Sequence, residues 1–250
     1  AVDYHTTVWL NGQLLGAHEG GYLPFELDAS AALRADGANE LVVKVVDAST
    51  DTARFPDYPF SEVPHGKQSW YGPLGGIWQS VYLETRAATH IAAIRVTPDV
   101  PGAQARVDVQ LSQPAAQDAV VTLTLTNPRG SVSTSEHTVP AGAATLAVAL
   151  PIFDPLLWDI GQPNLYTLAA TLGSDSLSAT FGMRTIATSP DGNILLNGRV
   201  IYLRGALDQD YYPDLIYTPF SDEAIADQFA KAQHMGLNCL RTHIKITDPR

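Results

Sequence analysis

The chain has 250 residues and a single cysteine, Cys239. An intramolecular disulfide is therefore impossible, and a cysteine-based zinc site has no ligand set. The compartment stays open, because many secreted proteins carry no disulfide. Basic residues are also scarce: 15 Lys and Arg stand against 26 Asp and Glu, a formal net charge of −11. Phosphate backbones and anionic membrane surfaces both require clustered cations, so neither nucleic acid nor membrane is expected as a partner. No window approaches the ~18 apolar residues of a membrane-spanning helix. There is no low-complexity segment, internal repeat, phosphate-cradling glycine loop or Ser-His-Asp arrangement. His5, His18, His65, His90, His137 and His234 lack metal-ligand spacing, so no metal or other cofactor is expected. The first residue is Ala1, with no Met and no charged-then-apolar leader.

What is present is a globular composition, 45% hydrophobic, and a grammar that is almost wholly β up to residue 190. Tyr4, Thr6, Val8 and Leu10 alternate with His5, Thr7 and Trp9, which predicts a strand with one buried face. Asn11-Gly12 is a hairpin signal, because both residues tolerate positive φ. Gln13–His18 is the expected return strand, Tyr22–Leu27 another run, Ala29–Arg34 at most a helical turn, and Leu41–Val46 an apolar strand. Residues 48–76 form a long loop rich in proline and glycine that carries Phe55, Tyr58, Phe60, Trp70 and Tyr71. Long loops inside compact domains are often functional. Ile77–Glu84 closes this unit as a predicted strand. Seven further strands are expected at Ile91–Thr97, Arg106–Gln113, Val120–Thr126, Ser133–Val139, Ala144–Leu150, Leu165–Leu172 and Leu177–Phe181. That series suggests an immunoglobulin-like sandwich. Trp9, Trp78, Trp158 and Cys239 are expected in cores.

After residue 190 the pattern changes. Asn193–Leu196, Asn197-Gly198 and Arg199–Tyr202 read as a hairpin, and Leu203–Ala206 as a short strand. Ser221 is a candidate N-cap, with Asp222 and Glu223 in the first turn. Ile225, Phe229 and Ala232 share one helical face, Gly236 suits the position after the helix, and Leu237–Ile246 reads as a strand. This is β-loop-α-β, the opening of a parallel α/β fold. A closed barrel takes ~250 residues, far more than remain here. A lone βαβ unit leaves its strand faces uncovered. The expectation is a piece of a longer protein, cut at both ends.

These residues resemble glycoside hydrolase family 2, which contains β-galactosidases, β-glucuronidases and β-mannosidases. The resemblance runs along the whole chain. It begins with Trp9-Leu10-Asn11-Gly12, Gly16-Ala17-His18-Glu19-Gly20-Gly21-Tyr22, Pro24-Phe25, Asn39-Glu40-Leu41 with Val43, and Gly75-Gly76-Ile77-Trp78 with Val81. It continues with Leu157-Trp158, Pro163-Asn164-Leu165-Tyr166 and Phe181-Gly182-Met183-Arg184. It closes with Leu195-Leu196-Asn197-Gly198, Leu203-Arg204-Gly205, and Gly236-Leu237-Asn238 with Arg241 and His243. The resemblance implies a mainly β chain. Residues 1–86 would be a partial jelly-roll β-sandwich, 87–188 an immunoglobulin-like sandwich, and 189–250 the first βαβ of a (β/α)8 barrel. It also implies a retaining enzyme that hydrolyses terminal β-glycosidic bonds, with a carbohydrate substrate. A homo-oligomer is left open. The alternatives are a non-catalytic carbohydrate-binding β-sandwich and a structural or adhesive one.

Retaining glycosidases use two carboxyl groups ~5–5.5 Å apart. In families of this type both are glutamates near the ends of the fourth and seventh barrel strands, so the resemblance assigns no catalytic residue within 1–250. The candidate supporting residues are Arg241, His243, Asp210, Asp208, Gln209 and Trp70. Alternation puts Cys239, Arg241 and His243 on one face of a strand. At the mouth of a barrel, the Arg241 guanidinium could orient a nucleophilic carboxylate, and the alternative is a structural ion pair. His243, Asp208, Gln209 and Asp210 suit sugar hydroxyls, which offer dense donors and acceptors. Trp70 reads equally as a sugar-stacking platform or as interdomain packing. Arg204-Gly205 is expected to be structural, through an ion pair of Arg204 and a close backbone approach at Gly205. The sequence departs from the family pattern at Leu207, at Gln209-Asp210 and in Arg241-Thr242-His243-Ile244, so the sugar cleaved is not carried over.

Overall fold

A computed structural model describes residues 1–58, 75–209, 212, 215, 218–243 and 246–247. Phe60, Lys67, Trp70, Tyr71 and Asp210 lie outside the described residues. The chain divides into two compact units, one of residues 83–202 and one of residues 1–82 with 203–250.

At the start of the chain, β1 (Val2–Asp3), β2 (His5–Leu10), β3 (Gln13–Glu19), β4 (Leu41–Val46) and β5 (Gly76–Ile77) form two sheets. The larger is antiparallel, with β2 between β3 and β4. Asn11 and Gly12, at φ 52° and 81°, make the β2–β3 turn, as the sequence predicts. Tyr4, Thr6, Val8 and Leu10 are all buried, as the alternation requires. The predicted strand at Tyr22–Leu27 is absent. This segment meets β3 through side chains instead of ladder hydrogen bonds. Phe25 stacks on His18 with ring centroids 4.4 Å apart. The Leu27 side chain sits 2.8 Å from where a Cβ on Gly16 would lie, so the two pack closely and a larger residue at 16 would displace the Leu27 methyl. Residues 29–33 make a single turn, with the Leu33 N–H donating to the Ala29 carbonyl (3.0 Å).

The predicted strand Ile77–Glu84 is also largely absent. Only Gly76 and Ile77 pair, because their partner β1 is two residues long. Val81, Tyr82 and Leu83 are exposed.

Residues 83–202 hold β6 (Ile91–Asp99), β7 (Gln104–Leu111), β8 (Ala119–Thr126), β9 (Val132–Val139), β10 (Thr145–Pro151), β11 (Tyr166–Leu172) and β12 (Asp175–Phe181). All seven strands expected in this stretch are present. They form an antiparallel three-stranded sheet, β10-β7-β6, and a four-stranded one, β12-β11-β8-β9. Inward residues of both sheets meet in one core, including Val107, Val109 and Leu111 of β7, Val121 and Leu123 of β8, and Leu168 and Ala170 of β11. Each fully buried Val or Leu among them contributes about 1.5–3 kcal/mol. Tyr166 is buried with its ring stacked on Phe181, and its hydroxyl accepts the Leu156 N–H (2.8 Å). A small sheet follows, β13 (Ile186–Thr188), β14 (Ile194–Leu196) and β15 (Arg199–Ile201), in that order.

The remaining residues supply β16 (Gly205–Asp208), α1 (Asp222–His234) and β17 (Cys239–Thr242). The two strands pair in parallel, from Gly205 opposite Cys239 to Asp208 opposite Thr242. The first is displaced two residues from its expected place, and the second is shorter. Ser221 caps α1, its hydroxyl accepting the Ala224 N–H (3.2 Å), and Gly236 follows the helix at φ 80°. No residue of α1 is fully buried, and Phe229, on the expected apolar face, is 54% exposed. Among the described residues, no helix is long and apolar enough to cross a membrane.

Trp9, Trp78 and Trp158 are half-buried, not core residues. Two of the indoles use their polar or π surface: Trp78 Nε1–H donates to the Gly21 carbonyl (2.6 Å), and the Arg184 guanidinium lies 4.5 Å from the Trp158 ring centroid. Cys239 is likewise half-buried.

Candidate functional site

The candidate site is built on the parallel pair β16–β17. Parallel strands approach closely where Gly205 faces Cys239, and a Cβ on Gly205 would lie 3.3 Å from the Cys239 carbonyl oxygen. The pair is closed at both ends. At the start, Asn238 Oδ1 accepts the Arg204 N–H (2.8 Å) while the Asn238 N–H donates to the Arg204 carbonyl (3.0 Å). At the finish, the His243 N–H donates to the Asp208 carbonyl (2.9 Å).

That last bond brings two of the expected residues together. Asp208 ends β16 and His243 follows β17, both half-buried, with Gln209 next in line and also half-buried. The Nδ1 atom of His243 is shielded from solvent. Arg241 lies two residues before His243, opposite Leu207, and is exposed. It forms no ion pair with another described residue. Asp210 and Trp70 fall outside the described residues. The ion pair expected of Arg204 is likewise not formed with any described residue, and it is this residue's backbone that is held. Among the described residues, no group of three His, Cys, Asp or Glu side chains is placed to hold a metal ion.

Chemically, the end of this pair presents a carboxylate, a carboxamide and an imidazole, with a guanidinium one strand position back. Such a set can donate to and accept from hydroxyl groups, and its cation can hold a carboxylate. The sequence reading missed Asn238 as a functional scaffold. Its sequence signal was the Gly236-Leu237-Asn238 run, where a short polar side chain follows a helix end directly before a strand.

The mainly β fold of this chain is similar to part of solved proteins named as glycosidases. A solved Bacteroides fragilis protein, provisionally named beta-galactosidase, superposes with a TM-score of 0.81 at 22% identity, covering 99% of this chain and 38% of that one. Residues 89–184 match the family model for Glycosyl hydrolases family 2, and the chain belongs to that family. A Formosa agariphila protein provisionally named beta-glucuronidase is 30% identical in an alignment 213 positions long that covers 82% of this chain and 24% of that protein. A beta-galactosidase of Thermoanaerobacter pseudethanolicus is 24% identical in an alignment 250 positions long that covers 94% of this chain and 32% of that protein. The chain thus spans between a quarter and a third of these two curated relatives.

Proposed function

We propose that these 250 residues are part of a retaining β-glycosidase that hydrolyses terminal β-glycosidic bonds. Residues 1–86 would be a partial jelly roll, 87–188 an immunoglobulin-like sandwich and 189–250 the first βαβ of a (β/α)8 barrel. The observation that carries the reading is the parallel β16–β17 pair, with Asp208, Gln209 and His243 gathered at its C-terminal end in a chain of this family. Barrel active sites lie at that end of the strands.

In this reading Arg241 orients the nucleophilic carboxylate and keeps it ionised. His243, Asp208, Gln209 and Asp210 hold sugar hydroxyls, and Trp70 stacks on a sugar face. The acid/base and nucleophile glutamates belong to the portion that the longer relatives have and these 250 residues do not. The purified 250-residue chain is therefore expected to leave aryl β-glycosides intact, and turnover that co-purifies with it would overturn that assignment. The reading frame beyond the codon for Arg250 is expected to encode further βα units with glutamates at two strand ends. In the protein so extended, Arg241→Ala should lower kcat by a hundredfold or so, the scale of losing a charge-assisted contact to a reacting group. A stop codon directly after Arg250 would remove the enzyme reading.

A further inference from the structure

A groove in residues 83–202 has no part in that proposal. It runs between the turn at Asp159–Gln162 and the edge strand β15, lined by Asp159, Ile160, Gly161, Gln162, Arg199, Val200 and Ile201. Its volume is about 540 Å3, within the roughly 300–1,000 Å3 of ordinary small-molecule sites.

Both walls are held by backbone hydrogen bonds and by two asparagine side chains outside the lining. Asp159 and Gln162 exchange two backbone bonds of 3.0 Å, closing the turn around Ile160-Gly161. Asn164 Nδ2 ties the turn down through the Leu157 carbonyl (2.9 Å). On the other side, Asn197, at the tip of the β14–β15 hairpin, donates to the Trp158 carbonyl (3.0 Å) and accepts the Thr185 N–H (3.0 Å). The surface is thus fixed before any ligand arrives, which limits the ordering cost of binding.

The chemistry of the lining is specific in kind. The Asp159 carboxylate accepts the Ile160 N–H (2.8 Å) and pairs with the Arg199 guanidinium. Its side chain is 21% exposed, while that of Arg199 is 71% exposed, so the other N–H groups of Arg199 face solvent. The Gln162 carboxamide makes no hydrogen bond to another described residue and is exposed. Beside these polar groups Ile160 is 41% and Val200 63% exposed, a large aliphatic surface to leave in water.

The pairing of Asp159 with Arg199 cancels their charges, which argues against an anion as the occupant. Planar donors and acceptors next to a flat aliphatic patch match a pyranose. Its adjacent hydroxyls take hydrogen bonds from a carboxamide and a guanidinium, and its C–H face covers apolar carbon. We propose that this groove is a binding site for a neutral saccharide, separate from the β16–β17 site. The proposal does not depend on the chain being part of an enzyme.

The test is amide NMR on the full 250-residue chain, titrated with β-linked glucose, galactose and mannose disaccharides and, separately, with a glucuronate disaccharide. The expected result is millimolar binding of at least one neutral disaccharide, with shifts concentrated at Ile160, Gln162, Arg199 and Val200. Gln162→Ala removes an exposed side chain with no described partner. It should leave the spectrum folded and weaken binding about fivefold, the worth of one net hydrogen bond. Shifts confined to the ends of β16 and β17 would overturn the proposal, and so would preference for the glucuronate or no shift with any neutral disaccharide. The last result would leave the glycosidase reading untouched, since that reading stands on turnover by the extended protein.

Discussion

Asn11 sits at φ 52° and Asn197 at φ 51°, each directly before a glycine in a tight turn. Sequence reasoning finds both turns from the Asn-Gly pair alone. It does not find what the side chains do. Asn11 Nδ2 donates to the Ala32 carbonyl (2.8 Å) and its Oδ1 accepts the Glu40 N–H (2.9 Å), while Asn197 does the same for Trp158 and Thr185. The Asn197–Trp158 partners are 39 residues apart, so no local pattern announces the pairing. Trp78 and Trp158 fail for a related reason: hydrophobicity says that an indole wants cover, but not which part of it stays in contact with a polar partner. At the candidate site the residue types of Asp208, Gln209, His243 and Arg241 were legible. The step that leaves Arg241 exposed depends on neighbours that the sequence does not reveal. Asn197→Ala removes two hydrogen bonds. At about 1 kcal/mol per net bond, the chain should lose about 2 kcal/mol. Urea unfolding followed by circular dichroism would measure it, and an unchanged midpoint would contradict the stitching role.

At the scale of elements, the strands of residues 83–202 were readable because each has one face in a shared core and one in water. The period-2 pattern is then written into the sequence, as in β7, where Ala105, Val107, Val109 and Leu111 are buried and the residues between them are exposed. Tyr22–Leu27 and Ile77–Glu84 carry similar patterns without a neighbouring strand to pair with, and a pattern cannot supply the partner. α1 was legible from its ends. Ser221 accepts the Ala224 N–H, and hydrogen bonds from the Ser221 hydroxyl and the backbone hold the Glu223 carboxyl below the ordinary carboxylate range. A carboxyl with a lower pKa in the folded state stabilises fully at pH values above its unfolded pKa. That contribution disappears as pH falls through the folded pKa. As the loss of an N-cap, Ser221→Ala should cost about 0.5–2 kcal/mol. It should also move the Glu223 titration, followed by side-chain carboxyl NMR, back up toward the unperturbed range. A Glu223 midpoint that ignores the substitution would show that Ser221 is not the cause.

At the scale of the whole molecule, cohesion is unevenly distributed. The core of residues 83–202 is continuous across two sheets, whereas α1 has no buried residue and β16–β17 is a two-stranded sheet. Leu168 is fully buried and Leu207 is 47% exposed. Leu168→Ala should cost about 2–5 kcal/mol, and Leu207→Ala well under half of that. Native-state hydrogen exchange should follow the same division, with β7, β8 and β11 amides slowest and those of α1 and β17 fastest. Equal protection in both places would contradict this distribution. The two asparagine turns add a consequence measured in storage time instead of energy. An asparagine before glycine is the backbone arrangement most open to attack by the following amide nitrogen, which expels ammonia and closes a cyclic imide; water then opens the ring and leaves a carboxylate in place of the carboxamide. At Asn11 and Asn197 that exchange would aim a negative oxygen at the carbonyls of Ala32 and Trp158, which each now receive an N–H. Ageing of this chain would therefore begin at its best-fastened corners, and each event would turn a fastening into a repulsion.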